Sequence, residues 1–165
     1  MSIKNKAVLL SAVGILAGAS VLNANAATSS TTMDVTANVV AVCNITAYNL
    51  AFGTYNPLSG TDLDSTSRID VSCTSGTAFN VGLDAGNGSG ATVSGRKMTI
   101  SGGSDTLGYK IFKDTERTSN WGNTVGTDTM SGTTSAILTA YGRIESGQSV
   151  PIGSYSDTLN VTVTF

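Results

Sequence analysis

Histidine is absent from the 165-residue sequence, and proline and cysteine occur twice each. Without an imidazole there is no Ser–His or Cys–His couple to activate a nucleophile, and no histidine to complete a metal site around the cysteines. Charge is also scarce. Asp, Glu, Lys and Arg make up 12% of the chain, about half the usual share of a soluble domain. The formal net charge is −2, which argues against nucleic acid or anionic lipid as partners, since both require a basic patch. Beyond residue 26 no segment has the periodicity of an amphipathic helix, because glycine and β-branched residues recur too often.

What is present begins with a leader. Lys4 and Lys6 precede an apolar run from Ala7 to Leu22, followed by the small-x-small triplet Ala24-Asn25-Ala26. This is the pattern of a secretory signal peptide cleaved after Ala26. Ser11, Gly14, Gly18 and Ser20 interrupt the run and no charged stop follows it, which disfavours a membrane anchor. Export into an oxidising compartment makes a disulfide between Cys43 and Cys73 the expected state. Closing that loop of about 30 residues would stabilise the fold by roughly 3–4 kcal/mol on the chain-entropy model.

The rest of the chain alternates with period two. "MDVTANVVAV" puts Met33, Val35, Ala37 and Val39 on one face, and "CNITAYNLAF" follows. "RIDVSC", "AFNVGLDA", "TLGYKIFKD", "AILTAYGRI" and "SYSDTLNVTVTF" each carry an alternating apolar stripe. "GTYNPLSGTDLDSTS" reads as turns, "GNGSGATVSGRKMTISGG" as a glycine-rich hairpin, and "TERTSNWGNTVGTDTMSGTTS" as a long loop with a short strand. Seven or eight short strands punctuated by turns point to an all-β sandwich in one domain.

Motifs for chemistry are weak. "GNGSGA" (residues 86–91) matches a dinucleotide-binding pattern in letters, but no helix is expected after it to present amides to phosphate. "GATVSGRK" places its lysine one position late for a phosphate loop. Asp62 and Asp64 lack the other ligands of a calcium loop and read as a solvated turn. Arg68, Arg96, Lys97, Lys110, Lys113, Arg117 and Arg143 are scattered and read as solubilising surface. Trp121 reads as a core plug rather than a sugar-stacking platform. No catalytic residue, metal or cofactor is expected.

The two ends are more informative. Leu159, Val161, Val163 and Phe165 alternate with Asn160, Thr162 and Thr164 up to the last residue of the sequence. In an immunoglobulin-like sandwich a further strand normally packs beside such a strand. A domain lacking it would carry an open apolar groove and an unpaired edge. The segment holding Met33, Val35, Ala37 and Val39 lies upstream of the first cysteine and is a candidate spare strand. Placed in the groove of another copy, its three large side chains and one alanine would contribute on the order of 5–9 kcal/mol by burial. Such a head-to-tail contact does not close on itself and builds a filament. The alternative is that the segment is the first strand of a complete, self-sufficient sandwich.

"CNITAYNLAFGTYNPLSG", "IDVSCTSG", "DTLGYKIFKDTERTSNWG", "LTAYGRI" and "VPIGSYSDTLNVTVTF", in this order and with both cysteines, resemble the spore coat protein U domain family. That family includes the pilin subunits of archaic chaperone–usher pili such as the Csu type. The resemblance implies an incomplete immunoglobulin-like sandwich lacking its C-terminal strand and completed by donor-strand complementation. It implies a signal peptide over residues 1–26, a donor-strand extension over 27–41 and a pilin-like domain over 42–165. On the family pattern, Cys43 and Cys73 form the disulfide and Met33, Val35, Ala37 and Val39 form the donor. Leu159, Val161, Val163 and Phe165 form the accepting edge and chaperone contact, with the carboxylate of Phe165 held in the chaperone cleft. The partners implied are a periplasmic chaperone, an outer-membrane usher and identical or related subunits, and the destination is a surface fibre used in adhesion or biofilm formation. A monomeric secreted binding module and a spore-coat-like structural protein are the competing readings.

Overall fold

The structure is a computed structural model that describes residues 26–165. The signal peptide expected over residues 1–26 therefore lies outside the described residues, Ala26 apart. The chain divides into two units, one up to Ala37 and one from Asn38 onward. In the first, residues 26–37 form neither helix nor strand, and Met33, Val35 and Ala37 are exposed. The strand expected around Met33 to Val39 is not formed, and Val39 in the second unit is exposed as well.

The second unit contains nine strands. They are β1 (Cys43–Ala47), β2 (Leu63–Cys73), β3 (Ala78–Leu83), β4 (Arg96–Ile100), β5 (Thr106–Phe112), β6 (Met130–Thr133), β7 (Ser135–Ile144), β8 (Tyr155–Ser156) and β9 (Val161–Thr164). Six form one sheet in the order β1-β2-β7-β5-β4-β8, and three form a second in the order β6-β3-β9. Every pairing is antiparallel. The inner faces of both sheets meet in one core, where Ile69 and Val71 from β2, Phe79 and Val81 from β3, Tyr109 and Ile111 from β5, and Leu138 from β7 are buried. This is an all-β, immunoglobulin-like sandwich.

Most stripes read from the sequence are strands with the anticipated faces inward. Leu107, Tyr109 and Ile111 alternate buried with half-buried neighbours along β5. The long loop after β5 holds one short strand, β6, as expected. Trp121 in that loop is wholly buried and donates its indole N–H to the Val81 carbonyl at 2.9 Å. The disulfide joins Cys43 to Cys73, which face each other in the β1–β2 register.

Four expectations are corrected. The glycine-rich stretch 86–103 is not a hairpin closed on itself. Beyond the tight turn that bridges Thr92 and Gly95, residues 86–95 carry the chain from β3 in one sheet to β4 in the other, and β4 forms its hairpin with β5. The turn-rich stretch gives way early, because β2 already begins at Leu63. Asp64 thus sits on a strand, where Arg143 grips it in a two-pronged ion pair (2.8 and 2.9 Å). The final "SYSDTLNVTVTF" is two strands in different sheets, β8 and β9, with residues 157–160 crossing between them.

Arg96 is the fourth. It is not on the surface but fully buried. Its guanidinium donates to the carbonyls of Asp84 (2.8 Å), Val93 (2.8 Å), Leu83 (2.9 Å) and Trp121 (2.7 Å). These carbonyls belong to the end of β3, the crossing loop and the tryptophan loop, so one side chain ties together three segments that share no ladder. Burial lowers its pKa, yet an arginine keeps its charge in such a site. Replacing Arg96 by Met strands those carbonyls without donors. The expected loss is about 3–5 kcal/mol, read as a lowered urea midpoint at unchanged slope. A loss under about 1 kcal/mol would contradict this account of how the sheets are joined.

Candidate functional site: an open groove beside a half-paired strand

Strand β9 has a neighbour on one side only. It pairs with β3 in the register Leu83↔Val161 and Val81↔Val163, and it is the last strand of its sheet. The Asp84 N–H donates to the Asn160 carbonyl at 3.2 Å. By antiparallel alternation, Thr162 and Thr164 then bond toward β3, whereas the N–H and C=O groups of Val161 and Val163 point to the open edge. On the partner strand, Leu83 and Val81 accordingly use their outward groups elsewhere, with the Gly122 carbonyl and the Trp121 indole. Strand β1 is the terminal strand of the other sheet. The Thr74 N–H to Val42 carbonyl bond and the Tyr48 N–H to Arg68 carbonyl bond turn residues 42 and 48 toward β2. By the same alternation the backbone of Cys43, Ile45 and Ala47 faces away from it.

An apolar groove runs along these edges. Its first part has a volume of about 480 Å³ and is lined by Leu50, Phe52, Ile69, Met98, Tyr155 and Leu159, with Val161 and Tyr109 among the other walls. A second hollow of about 590 Å³ shares Leu50, Phe52, Met98 and Tyr155 with it and continues toward Leu107, Ile144 and Val150. One wall is the segment after β1. It leaves the β1–β2 ladder at Ala47 and is held instead by hydroxyls on β2, with Ser67 Oγ donating to the Tyr48 carbonyl at 2.7 Å and Ser65 Oγ to the Ala51 carbonyl at 2.6 Å. Leu50 and Phe52 lie over Gly142 so closely that a Cβ there would come within 2.7–2.8 Å of their side chains. The Phe52 ring meets Tyr109 edge-on, with centroids 6.1 Å apart. The floor is thus made of core side chains that the strands around them do not cover.

The opposite wall is the chain from β8 to β9. Asp157 Oδ2 accepts the Tyr109 hydroxyl at 2.7 Å, and its Oδ1 accepts the amides of Asn87 (2.7 Å) and Thr158 (2.8 Å). Burial and the bond to Asp157 push the Tyr109 phenol well above its ordinary value. Asp84 Oδ1 accepts the amides of Gly86 and Asn160, both at 3.0 Å, and Oδ2 accepts the Asn160 side-chain amide at 2.6 Å. Partial burial raises the Asp84 pKa, but these bonds and the nearby Arg96 outweigh it and hold the carboxyl below 3.8.

Of the residues singled out in the sequence, Leu159 and Val161 line the groove, and Val163 packs half-buried against the core. Phe165 is 57% exposed. Leu50, Phe52, Met98, Tyr109 and Tyr155 were not anticipated as groove residues. Leu50 and Phe52 belong to the stretch "CNITAYNLAF", in which the strand β1 ends at Ala47. Among the described residues no group of three or more Cys, Asp or Glu is placed to hold a metal ion.

Residues 29–162 match the model of the Spore Coat Protein U domain. The chain belongs to the spore coat protein U domain family. Among curated relatives, this family member is similar to "Protein U" of Myxococcus xanthus, with 34% identity over 157 residues that cover 86% of this chain and 88% of the relative. Among solved structures, the spore coat U chain is similar to one chain of the CsuC–CsuE chaperone–tip adhesion subunit pre-assembly complex from the archaic chaperone–usher Csu pili of Acinetobacter baumannii. The TM-score is 0.58 at 24% identity, over 77% of this chain and 40% of that one. That likeness is one of fold, and the chain spans well under half the length of this neighbour.

The carboxylates of the site give its pH dependence a sign. Asp84 on the groove wall and Asp64, held mainly by its bond from Arg143, both titrate below the ordinary value of 3.8. Depressed folded-state values stabilise the fold above the unfolded-state pKa, and that stability is lost as pH falls through the folded values. Urea midpoints are therefore expected to be flat from pH 7 to 5 and to fall below about pH 4, with a shallower fall in an Asp84→Asn variant. A midpoint that rises on acidification would contradict these assignments.

Proposed function

We propose that this chain is a structural subunit of a chaperone–usher pilus and polymerises by donor-strand exchange. The observation that carries the reading is the open apolar groove beside the unpaired edge of β9. The occupant is the segment containing Met33, Val35, Ala37 and Val39 of another subunit. It is exposed and strandless in the structure, with Met33 and Val35 each 83% and Val39 81% accessible, and its apolar residues recur at the spacing a strand needs to fill a groove. Membership of the spore coat protein U domain family and the fold shared with a chain of a chaperone–subunit complex support it. On this reading a periplasmic chaperone fills the groove first, an outer-membrane usher exchanges it for the next subunit's donor, and the fibre serves adhesion or biofilm formation at the surface. The apolar lining of the groove supports a structural role over a catalytic one.

The family description favours a second reading, in which the same strand exchange builds a spore coat. Co-expression with a chaperone and usher separates the two: a pilus subunit is soluble with the chaperone and surface-exposed with both.

Val35→Asp tests the exchange itself. An unpaired carboxylate in an apolar groove costs about 3 kcal/mol or more, so polymer yield is expected to fall about a hundredfold. Chaperone binding should survive, because the chaperone needs the groove and not the donor. Fibres at normal yield would sink the proposal.

A further inference from the structure

Four residues, 157–160, take the chain from the edge of the six-stranded sheet to β9. They bring β9 into place, and they hold no ladder of their own. Asp157 fastens the start of the crossing to the Tyr109 hydroxyl on β5 and to the Asn87 amide of the glycine-rich loop. Asp84 fastens its end. Residue 160 is bound to residue 84 by its amide, its side-chain amide and its carbonyl, one position before the first β3–β9 pair, Leu83↔Val161. Period-two alternation means that a slip of one residue there would turn Leu159 and Val161 out of the groove and Val163 away from the core.

The surroundings are shaped for this clip. Gly86 has φ of 78°, and a Cβ on it would lie 2.1 Å from Asp157 Oδ2, so only glycine lets the carboxylate come that close. The Arg96 guanidinium holds the Asp84 carbonyl at 2.8 Å and fixes the end of β3. Arg96 and Tyr109 are the charged and titratable groups that act on the two carboxylates, and Asp128 also acts on Arg96.

We propose that Asp84 and Asp157 are positioning residues for strand acceptance: together they set the register of β9 and keep its open edge aligned for an incoming strand. This rests on the donor-strand reading. It adds that the groove is aligned by a polar clip on its wall as well as by its apolar floor, so that acceptance and global stability are separable.

The test uses the full chain and a synthetic peptide of residues 29–42 as the probe. The wild-type chain binds the peptide, and a peptide carrying Val35→Asp does not. If the wild type fails to bind, the donor-strand reading itself is wrong. With wild-type binding in hand, Asp84→Asn and the milder Tyr109→Phe, which keeps the buried ring, are expected to release peptide about tenfold faster. The amide resonances of Val161 and Val163 should shift in both variants before peptide is added, while those of β2 and β7 stay. In the wild type, release should quicken as pH falls below the ordinary aspartate range, and this response should weaken in Asp84→Asn. A variant that releases faster only in proportion to a lowered unfolding midpoint, with unmoved Val161 and Val163 resonances, would show a purely structural role and overturn the inference. Wild-type release kinetics in Tyr109→Phe and Asp84→Asn would overturn it equally, and would leave the donor-strand reading intact.

Discussion

A backbone N–H or C=O in an apolar setting needs a partner, and β9 has partners on one side only. Its inner residues bond to β3, while Val161 and Val163 present theirs to an open edge above core side chains. The other features of the site follow from this half-paired strand. The groove exists because no strand covers Leu50, Phe52, Met98 and Leu159. An unpaired edge above an apolar groove is a template for another strand. It is also an aggregation hazard unless something occupies it.

A core left open in this way must be held by other means. The disulfide staples β1 to β2 at Cys43 and Cys73. Arg96 gathers four carbonyls from segments that no ladder connects. Asp84 and Asp157 bind the crossing that delivers β9, and Trp121 closes the far side of β3 through the Val81 carbonyl. Covalent and polar devices thus stand where a strand covering the groove would otherwise supply packing. They hold the groove in shape without filling it.

Much of this was legible in the sequence, and the limits of legibility are physical. Period-two stripes marked β2, β3, β5 and β7 because each has one face in the core. The stripe from Leu159 to Phe165 marked a strand with one apolar wall, and Leu159 and Val161 do line the groove. The sheet switch between Ser156 and Val161 was invisible, because alternation records which side is buried and not which sheet does the burying. Arg96 looked like surface because a buried guanidinium satisfied by main-chain carbonyls leaves no partner side chain to find in the sequence. The wall formed by Leu50 and Phe52 left no mark in the sequence, since its hold comes from the hydroxyls of Ser65 and Ser67 rather than from backbone pairing.

The central claim is that the open edge of β9 is completed by a strand from another molecule. Amide hydrogen exchange over residues 159–165, compared between the unassembled chain and the assembled polymer, tests it most directly. The account predicts fast exchange at Val161 and Val163 in the unassembled chain and protection by about a hundredfold or more in the polymer. Amides already protected before assembly, or still unprotected in the polymer, would contradict it.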